Sequence, residues 1–464
     1  MKSRGSRTRA VAARPRRVLV ALLIGGVVAS VLSACLPAYR ESDDFAEWMS
    51  GRPSVASVEL SRTGKSRIGD LRITAKGDPA QAIEGIGRDV IDHAADQGGA
   101  FSDVRIDAGP ITVLLPSLDR TKPEGGDAKL AIAAWAATVD GLRWARIDRD
   151  VTRLGVAQGT ARSVVQSGFR ELRDARLDSR YQLIAQSPDG RDYINVTAGD
   201  SGKLDIFDDA LARWPGAEIA IGRSRGFTDI GFDLYAPADA PFDEVAAAVE
   251  TSVPEGSLSK LGWGGIAGSP GVLRRALRLA PESTALASEF AGSADIAWVE
   301  PAVDRTPSRL LTVIATTRDG WDQALARFPT DPGWDEVTYQ MHRDGQIVAT
   351  VPAAYAVGVP FVAVVPDLVG ETAVLKIDLS KDHLDLGIDP LTSTEEAERI
   401  LKAVQAGIEG TSDRVRIYLD DTSLGSKAVP ADFTVDADGL TAATDLPHPD
   451  LQRRLEAAWK KVAV

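Results

Sequence analysis

The sequence predicts an α+β fold of tandem modules, each a short, mostly antiparallel sheet with packed helices. Three observations predict it. Short apolar segments of period two alternate with single amphipathic helices. Asp-Gly pairs recur between such segments, in SPDGRD (187–192), HRDGQ (342–346) and DADG (436–439). Flanked by alternating residues, these pairs mark hairpin turns. A β-α-β frame also occurs twice, around ALARWP (210–215) and ALARFP (324–329). Hairpins mixed with single helices favour an α+β arrangement over one doubly wound sheet.

The elements follow in order. Within the polar segment 36–54, Phe45, Trp48 and Met49 give one apolar stripe of a short helix. DLRITAKG (70–77) alternates Leu71 and Ile73 with polar partners and reads as a strand. Asp78-Pro79 then opens a helix, with a capping carboxylate followed by a proline whose missing N–H costs nothing there. Ile83, Ile86, Val90 and Ile91 mark its buried stripe, and Gly98-Gly99 ends it. SDVRIDAG follows as a strand. In the ALARWP and ALARFP frames, a strand precedes each short helix (DYINVTAG, RLLTVIATT) and another follows it (AEIAIG, DEVTYQM). Late in the chain, TAVLKIDLS and HLDLGID alternate as strands. Thr392-Ser393-Thr394-Glu395-Glu396 is a capping-box opening. Ala397, Ile400, Leu401, Val404 and Ile408 then share one helical face, Gly410 stops it, and Arg414–Leu419 alternates again. Ferredoxin-like units are the nearest standard plan. The reading divides the chain into 1–34, a tether at 35–54, and modules at 55–178, 179–305 and 306–464.

The first 34 residues have a different character. Lys2, Arg4, Arg7, Arg9, Arg14, Arg16 and Arg17 come with no acidic residue, and the apolar run Val18–Leu32 follows. Basic, then apolar, then small is the order of an export signal. The run has 15 residues, whereas a spanning helix needs about 20. Arg16-Arg17 before the run also resembles a twin-arginine signal. Leu32-Ser33-Ala34-Cys35 resembles the lipobox of bacterial lipoproteins. The resemblance implies lipidation of Cys35 and cleavage before it, with Leu32, Ser33 and Ala34 as signal peptidase recognition. It also implies a cell-membrane location facing outside the cytoplasm, with the membrane as a partner through the N-terminal lipid.

Composition narrows the function. The formal charge is −13, and removal of residues 1–34 takes it to −20. That sign disfavours nucleic acid, whose recognition rests on neutralising phosphates. Cys35 is the only cysteine, so no internal disulfide can form and folding relies on apolar cores. Apart from the leader, VPFVAVVPDLV (359–369) comes nearest to a long apolar run, and it is short and broken by proline.

Several motifs approach known chemistry without completing it. The four histidines (His93, His342, His383, His448) show no metal-ligand spacing. Gly199-Asp200-Ser201-Gly202 resembles the nucleophile motif of chymotrypsin-like proteases. Lys203 replaces its next glycine, and the only upstream histidine, His93, sits in IDHAAD; a strand-to-helix turn is the simpler reading. Arg62-Thr63-Gly64-Lys65-Ser66 resembles the end of a phosphate-binding loop, but Glu59 stands where its earlier glycine belongs. Residues 434–439, with Asp445 beyond, hold part of a calcium-loop pattern between strand-like flanks, and a hairpin turn accounts for them better.

Gly262, Trp263 and Gly264 form the most unusual loop. A tryptophan among glycines can stack on a sugar or a peptide, or it can plug a core. The sequence therefore leads to a membrane-anchored, non-enzymatic binding or scaffold protein of the cell envelope. Its expected partner is an envelope protein or a wall component, with no metal or other cofactor. A solute-binding lipoprotein of an importer and an envelope hydrolase using carboxylates are the alternatives.

Overall fold

Among the described residues, each strand up to the last hydrogen-bonds to the strand that follows it in the chain. The computed structural model describes residues 43–62, 69–97, 101–116, 124–175, 180–197, 202–222, 231–252, 259–279, 288–290, 293, 295–303, 309–327, 334–356, 359–379, 383–389, 392–409, 414–419, 433–436, 439–442 and 449–462. The strands form hairpins: β1 (Val55–Arg62) and β2 (Gly69–Ala75), β3 (Phe101–Ala108) and β4 (Ile111–Pro116), β5 (Trp144–Ile147) and β6 (Val151–Gly155). Next come β7 (Gln182–Gln186) and β8 (Tyr193–Thr197), β9 (Glu218–Ile221) and β10 (Phe232–Ala236), β11 (Ser259–Trp263) and β12 (Ile266–Gly268). Then follow β13 (Ile296–Val303) and β14 (Arg309–Ala315), β15 (Glu336–Arg343) and β16 (Gln346–Pro352), β17 (Val374–Leu379) and β18 (His383–Ile388). The series ends with β19 (Arg414–Leu419), β20 (Phe433–Asp436) and β21 (Gly439–Ala442).

Partners within a hairpin are antiparallel. Successive hairpins join through parallel pairs. Parallel neighbours need a crossover, and an α-helix supplies it. These helices are α2 (Pro79–Gln97), α3 (Glu124–Ala136), α4 (Ala161–Asp174), α5 (Gly202–Arg213), α6 (Phe242–Ser252), α7 (Pro270–Leu279), α8 (Arg318–Ala326), α9 (Phe361–Gly370) and α10 (Thr394–Ile408), after a first helix α1 at 43–50. A last helix, α11 (Pro449–Val462), follows β21.

The α+β class therefore holds, as one mixed 21-stranded sheet rather than several short, mostly antiparallel ones. Pairing is continuous across 178/179 through β6–β7 and across 305/306 through β13–β14. The sequential strand order also differs from the ferredoxin-like plan, which interleaves its strands. Hairpins begin every 36 to 46 residues. ALARWP and ALARFP belong to the α5 and α8 crossovers, so the repeat seen in sequence spans three hairpin units.

Local chemistry explains the elements. Along β3, Val104, Ile106 and Ala108 are buried while Arg105 and Asp107 point the other way. One face of the sheet joins the helices in a single apolar core running from Phe45 to Ala458. Ser393 caps α10, its hydroxyl accepting from the Glu396 N–H while the Glu396 carboxylate accepts from the Ser393 N–H. The apolar run at 359–369 becomes α9, with Pro366 inside it. Proline has no N–H, so the Val362 carbonyl loses its helical donor; Trp321 Nε1 donates to that carbonyl at 2.9 Å instead.

The other face brings distant parts of the chain together. Arg72 on β2 donates to both Glu396 oxygens, at 2.5 and 3.1 Å, across 324 residues of sequence. Arg105 on β3 donates to Asp389 at 2.5 Å and to Asp107 at 2.9 Å. The β15–β16 turn meets the β7–β8 turn, with the Gly345 N–H donating to the Pro188 carbonyl at 2.8 Å. Gln346 Nε2 donates to Gln186 Oε1 at 3.0 Å. α11 bridges the first and last strands: Arg454 lies 3.7 Å from Glu59 of β1, and Trp459 flanks Gly439 of β21. The sheet thus curls with its helices outward, and α11 fills the seam.

The buried ion pairs carry a test. Removing one partner of such a pair leaves an uncompensated charge. Arg105→Ala should therefore lower unfolding free energy by about 3 kcal/mol or more, while Arg88→Ala, in an exposed pair with Glu84, should cost less than about 1 kcal/mol. Chemical denaturation measures both. Burial pushes Glu396 up, but the Arg72 hydrogen bonds and charge and the Ser393 cap outweigh it and hold the carboxyl at about 2. Ionised Glu396 therefore stabilises the fold above its unfolded value of 4.5, and that stability is lost as pH falls from 4.5 towards about 2. Glu396→Gln should remove this part of the acid sensitivity.

Candidate functional site

Turns at 109–110, 187–192, 264–265 and 344–345 fall on one rim, because hairpins alternate in direction along the sheet. Between the second and third of these opens a cavity of about 580 Å³. Its walls are the β7–β8 turn, the first residue of β9, the ends of β10 and β14, the β11–β12 turn and the start of β13.

The predicted loop lies in it. Gly262, Trp263 and Gly264 all line the cavity. Trp263 and Ile266 pair across a two-residue turn in which Gly264 and Gly265 have φ of 55° and 84°. Both turn residues therefore adopt the left-handed region that a tight hairpin needs and that glycine reaches without strain. Trp263 combines both of its expected roles. It packs on the core with its ring edge against Phe242, and its Nε1 donates to the Ala240 carbonyl at 2.8 Å. Its ring is fixed while still forming part of the wall.

Gly262 has a different job. A Cβ there would sit 2.0 Å from Cδ1 of Tyr235. The Tyr235 ring lies flat across β11, over the missing side chain. It stacks on Trp298 of β13, with centroids 5.6 Å apart and planes at 26°. Ala220, Ala267, Ala297 and Ile314 surround the pair in a second apolar cluster, on the sheet face away from the helices. Small residues on β9, β12 and β13 leave room for the two large rings.

The charged side of the cavity is built by the β7–β8 turn. Ser187 Oγ donates to Asp189 Oδ1 at 2.6 Å, and the Arg191 N–H donates to the same oxygen at 3.1 Å. An aspartate bonding the backbone two residues on stabilises such a turn, and here it also aims two charged groups. Arg191 reaches across the cavity to donate to the Ala297 carbonyl of β13. On the way its Nε passes 3.5 Å from Asp189 and 3.6 Å from Glu218. Gln158 Nε2 donates to the other oxygen of Glu218. Burial, reinforced by the charge of Asp189, pushes the Glu218 carboxyl up to about 7 against the pull of Arg191. Burial also raises Asp192, which accepts from the Gly159 N–H behind the turn. The site thus presents two carboxylates, one guanidinium, one amide and a fixed indole, with the Ser293 and Thr316 hydroxyls opposite.

The other residues singled out by the sequence lie elsewhere. Leu32, Ser33, Ala34 and Cys35 lie outside the described residues, as do residues 63–66 and 199–201. α5 begins at Gly202. His93 stacks on Phe45 at 4.2 Å, and His342 meets the Trp298 ring edge-on. Sequence reasoning missed Tyr235, Trp298, Asp189, Arg191 and Glu218. SPDGRD was the available signal for two of them: its turn was legible, but not the cavity it faces.

Two outcomes follow. Gly262→Ala would drive a methyl into the Tyr235 ring, and such overpacking should cost about 1–3 kcal/mol, measured by denaturant unfolding. Folded Glu218 holds its proton up to about 7, whereas unfolded glutamate releases it near 4.5. Its contribution to stability therefore falls as pH rises from 4.5 to about 7. Glu218→Gln should flatten that part of the profile of melting temperature against pH. Comparison of the chain with protein-family models, curated proteins and solved structures gives no match, so a reading of this site rests on its own geometry.

Proposed function

We propose that this protein is a lipid-anchored lipoprotein of the cell envelope, facing outside the cytoplasm, that binds a small polar ligand in the rim cavity. The observation that carries the binding part is the preformed cavity. Hydrogen bonds to backbone hold both Trp263 and Arg191, so neither must be ordered at the moment of binding. Sites of this kind are concave and have a few convergent polar groups that fix orientation. The anchoring part rests on Leu32-Ser33-Ala34-Cys35 directly after a basic and an apolar segment. The short polar stretch between Cys35 and α1 would keep the globular part near the membrane. We also read the chain as carrying a tandem duplication with a period of three hairpin units, not divided at 178/179 and 305/306. The three-unit spacing of ALARWP and ALARFP supports this.

A second reading, an envelope hydrolase using carboxylates, is favoured by one observation. Glu218, raised to about 7, and Asp189 line the same cavity. A carboxyl protonated near neutral pH beside a second carboxylate suits general acid catalysis.

Cys35→Ser should leave an uncleaved precursor and abolish incorporation of labelled fatty acid, read by gel mobility and autoradiography of membrane fractions. Normal processing of that variant would overturn the anchor. Turnover of a saccharide or peptide that is lost in Glu218→Gln, with melting temperature kept, would favour the hydrolase.

A further inference from the structure

We propose that the rim cavity takes a neutral saccharide of one or two rings, resting on Trp263 and held through its hydroxyls by Asp189, Arg191, Glu218 and Gln158. The inference rests on the binding reading above and names the ligand's chemistry.

Size is the first argument. About 580 Å³ falls within the roughly 300–1,000 Å³ of small-molecule sites and suits a ligand of one or two rings. The balance of donors and acceptors is the second. Asp189 accepts only and Arg191 donates only, while Glu218, which holds its proton up to about 7, does either. Gln158 and Thr316 do either, while Ser293 Oγ already donates to Gln323 and can only accept. A ligand must answer both kinds at close spacing. A hydroxyl donates and accepts at once, and a sugar ring carries several such groups.

Charge is the third argument. An anionic ligand would meet the Asp189 carboxylate, and Arg191, the one guanidinium among the described lining residues, is already shared with Asp189 and Glu218. A wholly apolar ligand would strip water from these groups and return no hydrogen bond. An amine would match the carboxylates but face Arg191. A neutral polyol uses all of them without adding charge. The ring wall is the fourth. Trp263 is held at its Nε1 and on one edge, and an indole face packs well against the C–H face of a sugar.

The full-length protein in detergent tests this. N-acetylglucosamine, chitobiose, glucose and maltose are titrated by tryptophan fluorescence and calorimetry, with spermidine and glucuronate as cationic and anionic probes. Pelleting with purified, insoluble wall glycan separates a free sugar from the end of a polymer. We expect saturable binding of at least one neutral sugar. Gln158→Ala and Glu218→Gln should each weaken it about fivefold, the loss for one hydrogen bond between neutral groups. Trp263→Phe, which keeps a ring, should weaken it less than Trp263→Ala. Sugar binding that none of these variants alters would place the ligand elsewhere and overturn the inference. Binding of spermidine or glucuronate alone, sensitive to the same variants, overturns the saccharide but leaves the binding reading intact. Silence of the whole panel overturns the saccharide. Release of new reducing ends, lost in Glu218→Gln, keeps the saccharide and replaces passive binding with hydrolysis.

Discussion

Strands twist right-handedly along their length, so each neighbour is rotated against the last, and the described residues hold twenty-one strands that pair in chain order. Open sheets rarely pass about ten strands without curling. Curling brings β2 and β3 against the end of β18 and the start of α10, and the Arg72–Glu396 and Arg105–Asp389 pairs fix where they meet. Most of the remaining architecture follows from that closure. The helices must lie outside, because the inner face is taken by ion pairs and by opposed turns. The first and last strands must be shielded, because an edge strand presents unpaired N–H and C=O groups. α11 supplies that shield with Arg454 beside Glu59.

The same closure shapes the cavity. The inner face is mostly polar, as at Arg105, Asp107 and Arg72. Between β9 and β14 it changes to alanines and stacked rings. There the β7–β8 turn leans over the sheet and Arg191 ties it to β13. The opening thus lies where an apolar floor meets a charged roof. The floor spans β9 to β14, and the Arg191–Ala297 hydrogen bond joins roof to floor across 106 residues of sequence.

Local features were legible in the sequence. The Asp78-Pro79 opening, the Ser393 capping box and the Asp-Gly turns at 189–190 and 344–345 act within four residues, and each forms as written. The buried stripes of α2 and α10 also match their periodicity. The single sheet was not legible. A parallel pair across a helix leaves no local mark, and period-two alternation looks the same whether the wet face meets water or a distant ion pair. Trp263 stood out only because glycines surround it. Tyr235 and Trp298 are ordinary strand aromatics until Gly262 is seen to lie beneath one of the rings. Glu218 carries no sequence signal, since its displaced titration comes from burial and from Asp189.

Strict chain order in the sheet has a consequence for connectivity. No strand is threaded between two others, and the seam at α11 lies beside β1. The order of neighbours is therefore that of a loop of hairpins, in which the seam is one junction among many. A chain opened at another hairpin turn, with a linker carried from α11 to α1, would list the same neighbours in rotated order. Each hairpin of such a permutant would still follow its sheet neighbour in sequence, except at the single new opening.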